Sequence, residues 1–221
     1  MSKLVAAFLV VSAFAVSVQV AFSQNVSAGN SVLINRQKRQ LTINDSSGHV
    51  LLTSPVGIGR GPLKKKTSMH DCITPTGKFR IDVILAENPD DCAIDRSLKN
   101  TLAKNPHNAI AVRSPERLSA LFKAMNAVDF NKDGTADGAY GFAFIGLDGE
   151  QTGPKLVPSG SGVRWYSIAL HGSPHEEKAV GNATSEGCVH LKEEVLKDIL
   201  NRHLVNIGTQ VVIVDSIDVK H

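Results

Sequence analysis

The chain has 221 residues, 42% hydrophobic and 5% aromatic, with a formal net charge of +3 and a pI near 8.8. That length suits one domain behind a leader and is enough to bury a core. Apart from Lys64-Lys65-Lys66 the basic residues are scattered, so the electrostatic footprint of a nucleic-acid binder is missing and no nucleic-acid partner is expected.

Residues 1–23 read as a secretory signal: Lys3, an apolar run from Leu4 to Val18, then small residues at Ala21 and Ser23 where a signal peptidase cuts. An uncleaved anchor is the competing reading, because the apolar run nearly reaches spanning length, and Ser12, Ser17 and Gln19 argue against it. Either way the chain is expected to be exported, touching a membrane only through that segment if it is retained. Residues 24–30 form a polar linker, 31–215 the domain and 216–221 a tail.

Residues 31–35 and 41–43 alternate as strands around a basic turn at residues 36–40. Asp45-Ser46-Ser47-Gly48 is a hairpin signal returning the chain as a strand over residues 49–56. These pairings predict an antiparallel sheet or sandwich. Residues 60–72 read as a basic, solvated loop, and Thr74-Pro75-Thr76-Gly77 as a turn feeding a strand from Phe79 through Leu85. Residues 87–107 read as loop. Ser114-Pro115 opens a helix over 115–128, with Leu118, Leu121, Phe122, Met125 and Val128 as its buried stripe.

Asp129, Asn131, Asp133 and Asp137, with Gly134 at the sixth position, match the opening of a calcium loop. Tyr140 stands where the bidentate Glu belongs and no second loop pairs with it, so a solvated turn is expected and a structural calcium is the alternative. Strands follow over residues 141–147, 165–170 and 209–215, with a helix over 191–203.

In an oxidising compartment thiols pair unless function requires otherwise, so Cys72 and Cys92 are expected to form a disulfide that restrains the polar loop. Cys188 is left, in a Ser185-Glu186-Gly187-Cys188 turn downstream of His171-Gly172. A thiolate attacks best near a His or a helix N-terminus, and both are expected here. His171 is read as general base, oriented by a backbone acceptor such as the Gly172 carbonyl, a choice the sequence leaves open. The amides around Gly187 and Cys188 are the oxyanion-hole candidates, and Ser185, His190 and His175 are assigned to substrate contact, with the two His also competing for the base role. No Cys/His pair shows metal-ligand spacing, so neither a metal nor a cofactor is assigned.

His171-Gly172 followed by Ser185-x-Gly187-Cys188-Val189-x-Leu191 resembles the signature of the YkuD-type L,D-transpeptidase catalytic domain. The resemblance extends upstream through Thr74-Pro75-Thr76-Gly77-Lys78-Phe79 and covers roughly residues 31–215. It implies a mostly β, sandwich-like fold with two or three helices. It also implies acyl transfer on peptidoglycan stem peptides through a Cys188 thioester with release of D-Ala, in the periplasm or cell wall; a monomer is expected. An L,D-carboxypeptidase or a non-catalytic peptidoglycan-binding relative is the alternative. Against the family pattern, Glu186 replaces a common His and His190 a common Arg or Asn. Residues 86–139 look longer than the usual connection and read as an insertion.

Overall fold

The computed structural model describes residues 29–68, 70–149 and 168–216. The first hairpin forms as its alternation requires: β1 (Ser31–Asn35) pairs with β2 (Gln40–Asn44), and β2 with β3 (Val50–Pro55), both antiparallel. Val32, Ile34, Leu41 and Ile43 all point into the core, since residues two apart share a strand face. After β4 (Ile58–Gly59) the chain forms β5 (Gly77–Ala86), the longest strand, then β6 (Ala93–Ile94) against its end. Three helices follow, α1 (Arg96–Leu102), α2 (Pro106–Ala111) and α3 (Pro115–Asn126). The remainder comprises β7 (Ala143–Gly149), β8 (Ala169–His171), α4 (Glu176–Ala179), β9 (Ala183–Ser185), β10 (Val189–His190), α5 (Glu193–Asn201) and β11 (Gln210–Val214).

One nine-stranded sheet runs β10-β8-β7-β5-β11-β1-β2-β3, with β6 attached to β5, and β4 and β9 form a second, two-stranded sheet. The hairpins are antiparallel, as expected, but β1–β11, β8–β10 and β4–β9 are parallel, so the architecture is mixed. β3 and β10 are the two ends of the long sheet. Gly57, just past β3, nevertheless exchanges both backbone hydrogen bonds with His190 in β10, so the sheet curls until its edges meet. Gly57 permits that approach: a Cβ there would lie 2.2 Å from the Ala179 carbonyl oxygen.

The mostly β architecture is as expected, but five α-helices stand among the described residues where two or three were expected. Of the additional helices, α1 and α2 begin in the stretch read as loop, and α4 lies between His171 and Cys188. In the stretch read as loop, Asn88 caps a 3-10 turn (Pro89–Asp91), and the Asp95 carboxylate accepts from Ser97 and Leu98 to start α1, so caps rather than apolar periodicity build these turns. In α3 the stripe is narrower than predicted. Leu118 and Phe122 are buried, whereas Leu121 is exposed and Val128, exposed too, lies past the end of α3, which packs against β5, the 3-10 turn and α2.

The expected Cys72–Cys92 disulfide does not form; both are free cysteines. Cys92 is buried at the end of β5, its thiol hydrogen-bonded to the Ala86 carbonyl, while Cys72 is partly exposed in the loop ahead of β5. The polar stretch is therefore anchored through the Cys92 thiol and the backbone.

At the calcium-like turn Asp129 accepts from the amides of Lys132, Asp133 and Gly134, and Asp137 from Phe130. Its carboxylates thus close the turn on itself. Among the described residues no group of three or more His, Cys, Asp or Glu is arranged to hold a metal, and no helix is long and apolar enough to cross a membrane. The leader lies outside the described residues, as do Trp165 and Tyr166 of the strand predicted before His171.

Candidate active site

β8 and β10 run parallel with His190 opposite His171 and Val189 opposite Leu170, which places Cys188, one residue before β10, alongside Ala169. The sheet therefore brings Gly187, Cys188, His190, His171 and Gly172 to one edge. His175 is exposed at the N-cap of α4, outside this group.

His171 is 5% exposed. Its Nδ1 lies 2.7 Å from the Gly172 carbonyl, which can only accept, so Nδ1 carries the proton and Nε2 presents a lone pair. The ring is caged by Tyr140 and His190, both edge-on with centroids at 5.2 and 4.8 Å, and by stacked Phe144 at 6.2 Å. Burial, then the neighbouring His190, pushes His171 down to about 3, against the pull of the Gly172 carbonyl. Burial likewise lowers His190, whose Nδ1 is buried without a hydrogen-bond partner among the described residues.

Burial raises Cys188 to about 11, with a backbone hydrogen bond at Ala169 and the charge of Lys66 pulling it back and Glu186 adding to the rise. The helix-dipole expectation is corrected here. α5 starts at Glu193, not Leu191, and the Leu191 amide is spent on the His171 carbonyl. Burial thus disfavours both the thiolate and the imidazolium, although Cys188 itself stays partly exposed.

The thiol turn is held from within. Ser185 Oγ donates to the Cys188 carbonyl at 2.6 Å and accepts from the Gly187 amide at 3.1 Å. Two expectations change as a result: Ser185 is spent on the turn rather than on substrate, and the Gly187 amide leaves the oxyanion-hole candidates. Gly187 adopts φ 133°, where a side chain is strained.

Sequence reasoning missed three neighbours. Tyr140, read only as a failed calcium ligand, faces His171, and its phenol is raised by burial and then by Cys188. Arg60, just after β4, donates its amide to the Ser185 carbonyl and its guanidinium to Glu186 at 3.0 Å, spanning the rim of the turn. Lys66, read as solvated, is 2% exposed and paired with Asp71 at 2.7 Å. All three reach the site through long-range contacts, and local sequence carries no signal for them.

A search of curated proteins finds no match. Among solved structures, the chain is similar to Bdellovibrio bacteriovorus Bd1075, at 17% identity and TM-score 0.44, covering 86% of this chain and 49% of that one. It is also similar to an L,D-transpeptidase from Xylanimonas cellulosilytica, at 14% identity and TM-score 0.39, covering 86% and 62%. A third is the helical cell shape determining protein Pgp2 from Campylobacter jejuni, at 14% identity and TM-score 0.43, covering 84% and 47%. The chain thus spans about half to three-fifths of the length of these structures. The family model described as the L,D-transpeptidase catalytic domain, YkuD, matches residues 29–213, nearly the whole folded region, and the chain belongs to that family.

Proposed function

We propose that the protein is an exported cysteine acyltransferase acting on peptidoglycan stem peptides in the periplasm or cell wall. The observation that carries this reading is the placement of Cys188 at the head of β10, beside the strand that ends in His171, with the His171 tautomer set by Gly172. In the first step the Cys188 S–H proton passes to His171 Nε2 as the sulfur attacks the carbonyl carbon of the third stem residue, a diamino acid. Negative charge collects on the carbonyl oxygen, for which the Cys188 amide is the candidate donor. The tetrahedral species collapses, the C–N bond to D-Ala breaks, and His171 returns the proton to the departing amine, leaving a thioester. The side-chain amine of a second stem then attacks, gives its proton to His171, and expels the thiol, which takes that proton back.

Water as acceptor would make the same site an L,D-carboxypeptidase. The Arg60–Glu186 pair supports substrate contact at the rim, where Glu186 orients a guanidinium suited to a carboxylate. Incubating the full chain with a tetrapeptide stem tests the reading. Release of D-Ala together with an acyl mass on the Cys188 peptide is expected, and both should vanish in Cys188→Ala. Muropeptide binding without D-Ala release would instead mark a non-catalytic relative.

A further inference from the structure

Lys64 and Lys65 are exposed, whereas Lys66 turns inward and is 2% exposed. An ammonium taken out of water costs several kcal/mol unless it is compensated. Asp71 compensates it at 2.7 Å, and the Asp71 oxygens also accept from the amides of Thr67, Ser68 and Ile73. Burial pushes the Asp71 carboxyl up, yet Lys66 and these amides hold it well below the usual carboxylate range.

A loop staple alone would account for that pair, but its position says more. Lys66 Nζ lies 3.6 Å from the point where a Cβ on Gly187 would sit, and the Ile73 carbonyl oxygen lies 3.1 Å from the same point. The ammonium is thus packed against the residue that precedes the thiol. We propose that Lys66 is an electrostatic positioning residue of the thiol turn: held by Asp71 against Gly187, it supplies a fixed positive charge beside the sulfur on which negative charge develops.

The other ionisable groups around that sulfur are His171 on β8, His190 on β10, Tyr140 from the segment before β7, and Glu186 with its partner Arg60. Burial disfavours the charged form of both imidazoles and Glu186 opposes a thiolate, whereas Lys66 favours it. A charge already fixed in place needs no reorganisation when the proton leaves for His171. Lys66 neither takes nor gives that proton. The consequence for acyl transfer rests on the proposed function; the consequence for sulfur ionisation does not.

The test is iodoacetamide alkylation of the full chain, resolved to the Cys188 peptide by mass spectrometry, from pH 6 to 11. Lys66→Met is expected to slow labelling at pH 8 about tenfold, the change that a rise of about one pH unit in the thiol's ionisation produces. Lys66→Arg is expected to restore the profile to within about threefold, since it keeps the charge. A Lys66→Met profile that superimposes on wild type, whatever its melting temperature, would reduce Lys66 to a loop staple and overturn the inference. Should Lys66→Met lose its cooperative melt, Asp71→Asn decides: it keeps the ammonium, so its labelling at pH 8 must hold or quicken, and slower labelling overturns the inference. With stem peptide, Lys66→Met should lower kcat and leave KM unchanged. A shifted alkylation profile in a protein that makes no thioester would reject the proposed function and retain the role of Lys66.

Discussion

At the residue scale, burial disfavours the charged forms of both His171 and Cys188. Cys188 should therefore alkylate slowly at neutral pH, its rate still rising above pH 9. A plateau reached by pH 7 would mean a resting thiolate. Burial of neutral His171 also couples folding to pH. Its folded value of about 3 lies below the unfolded value near 6.5, so the unfolded chain binds the extra proton between the two. The stability conferred by the neutral ring is complete above pH 6.5 and is lost as pH falls toward 3, on the order of a few kcal/mol in all. The melting temperature should fall across that window, and His171→Gln should flatten the fall; equal slopes in variant and wild type would contradict this. The dyad was legible in the sequence because His-Gly and Ser-x-Gly-Cys are local patterns. The burial that disfavours their charged forms was not, since it comes from Tyr140 ahead of β7, Phe144 on β7 and His190 on β10.

At the element scale, the thiol turn leans on a loop that the sequence presents as solvent-facing. Arg36, fully buried, grips Asp215 with Nε and Nη2 and gives Nη1 to the carbonyls of Thr74 and Lys64, tying that loop to the end of β11. Arg36→Met should cost roughly 2–4 kcal/mol, because two carbonyls lose a charged donor. A denaturant melt measures the loss, and a change under 0.5 kcal/mol would show the contacts to be incidental. The Thr74-Pro75-Thr76-Gly77 turn could be read from its residues, but its anchoring could not, since Arg36 looked like one member of a basic hairpin turn. Gly59 shows the same limit: its amide is bonded to Thr74 Oγ1, and a Cβ on it would lie 2.1 Å from the Cys72 carbonyl oxygen.

At the scale of the whole molecule, a sheet curled until β3 and β10 meet holds the two halves of the site in register. Gly57→Ala should break that closure and abolish cooperative melting rather than merely lower it, given the clash with Ala179. The alternating strands and the mostly β class were readable from period-two patterning. The parallel pairings were not, because β1 with β11 and β8 with β10 join segments whose pairing leaves no turn signature. The cysteine reading failed for a related reason: compartment chemistry argued for a disulfide, while the fold buries Cys92 against β5. Thiol titration of the denatured, unreduced chain should give three thiols, and a count of one would restore the Cys72–Cys92 bridge.

The claim that most needs testing is that neutral His171 takes the Cys188 proton during acylation. Single-turnover acylation by a carbapenem, followed by intact mass from pH 5 to 9, measures this directly. The account predicts one adduct on Cys188, a rate that is nearly flat across the range, and a loss of about 10²–10⁴-fold in His171→Gln. A His171→Gln protein that acylates as fast as wild type, or an adduct that persists in Cys188→Ala, would contradict it.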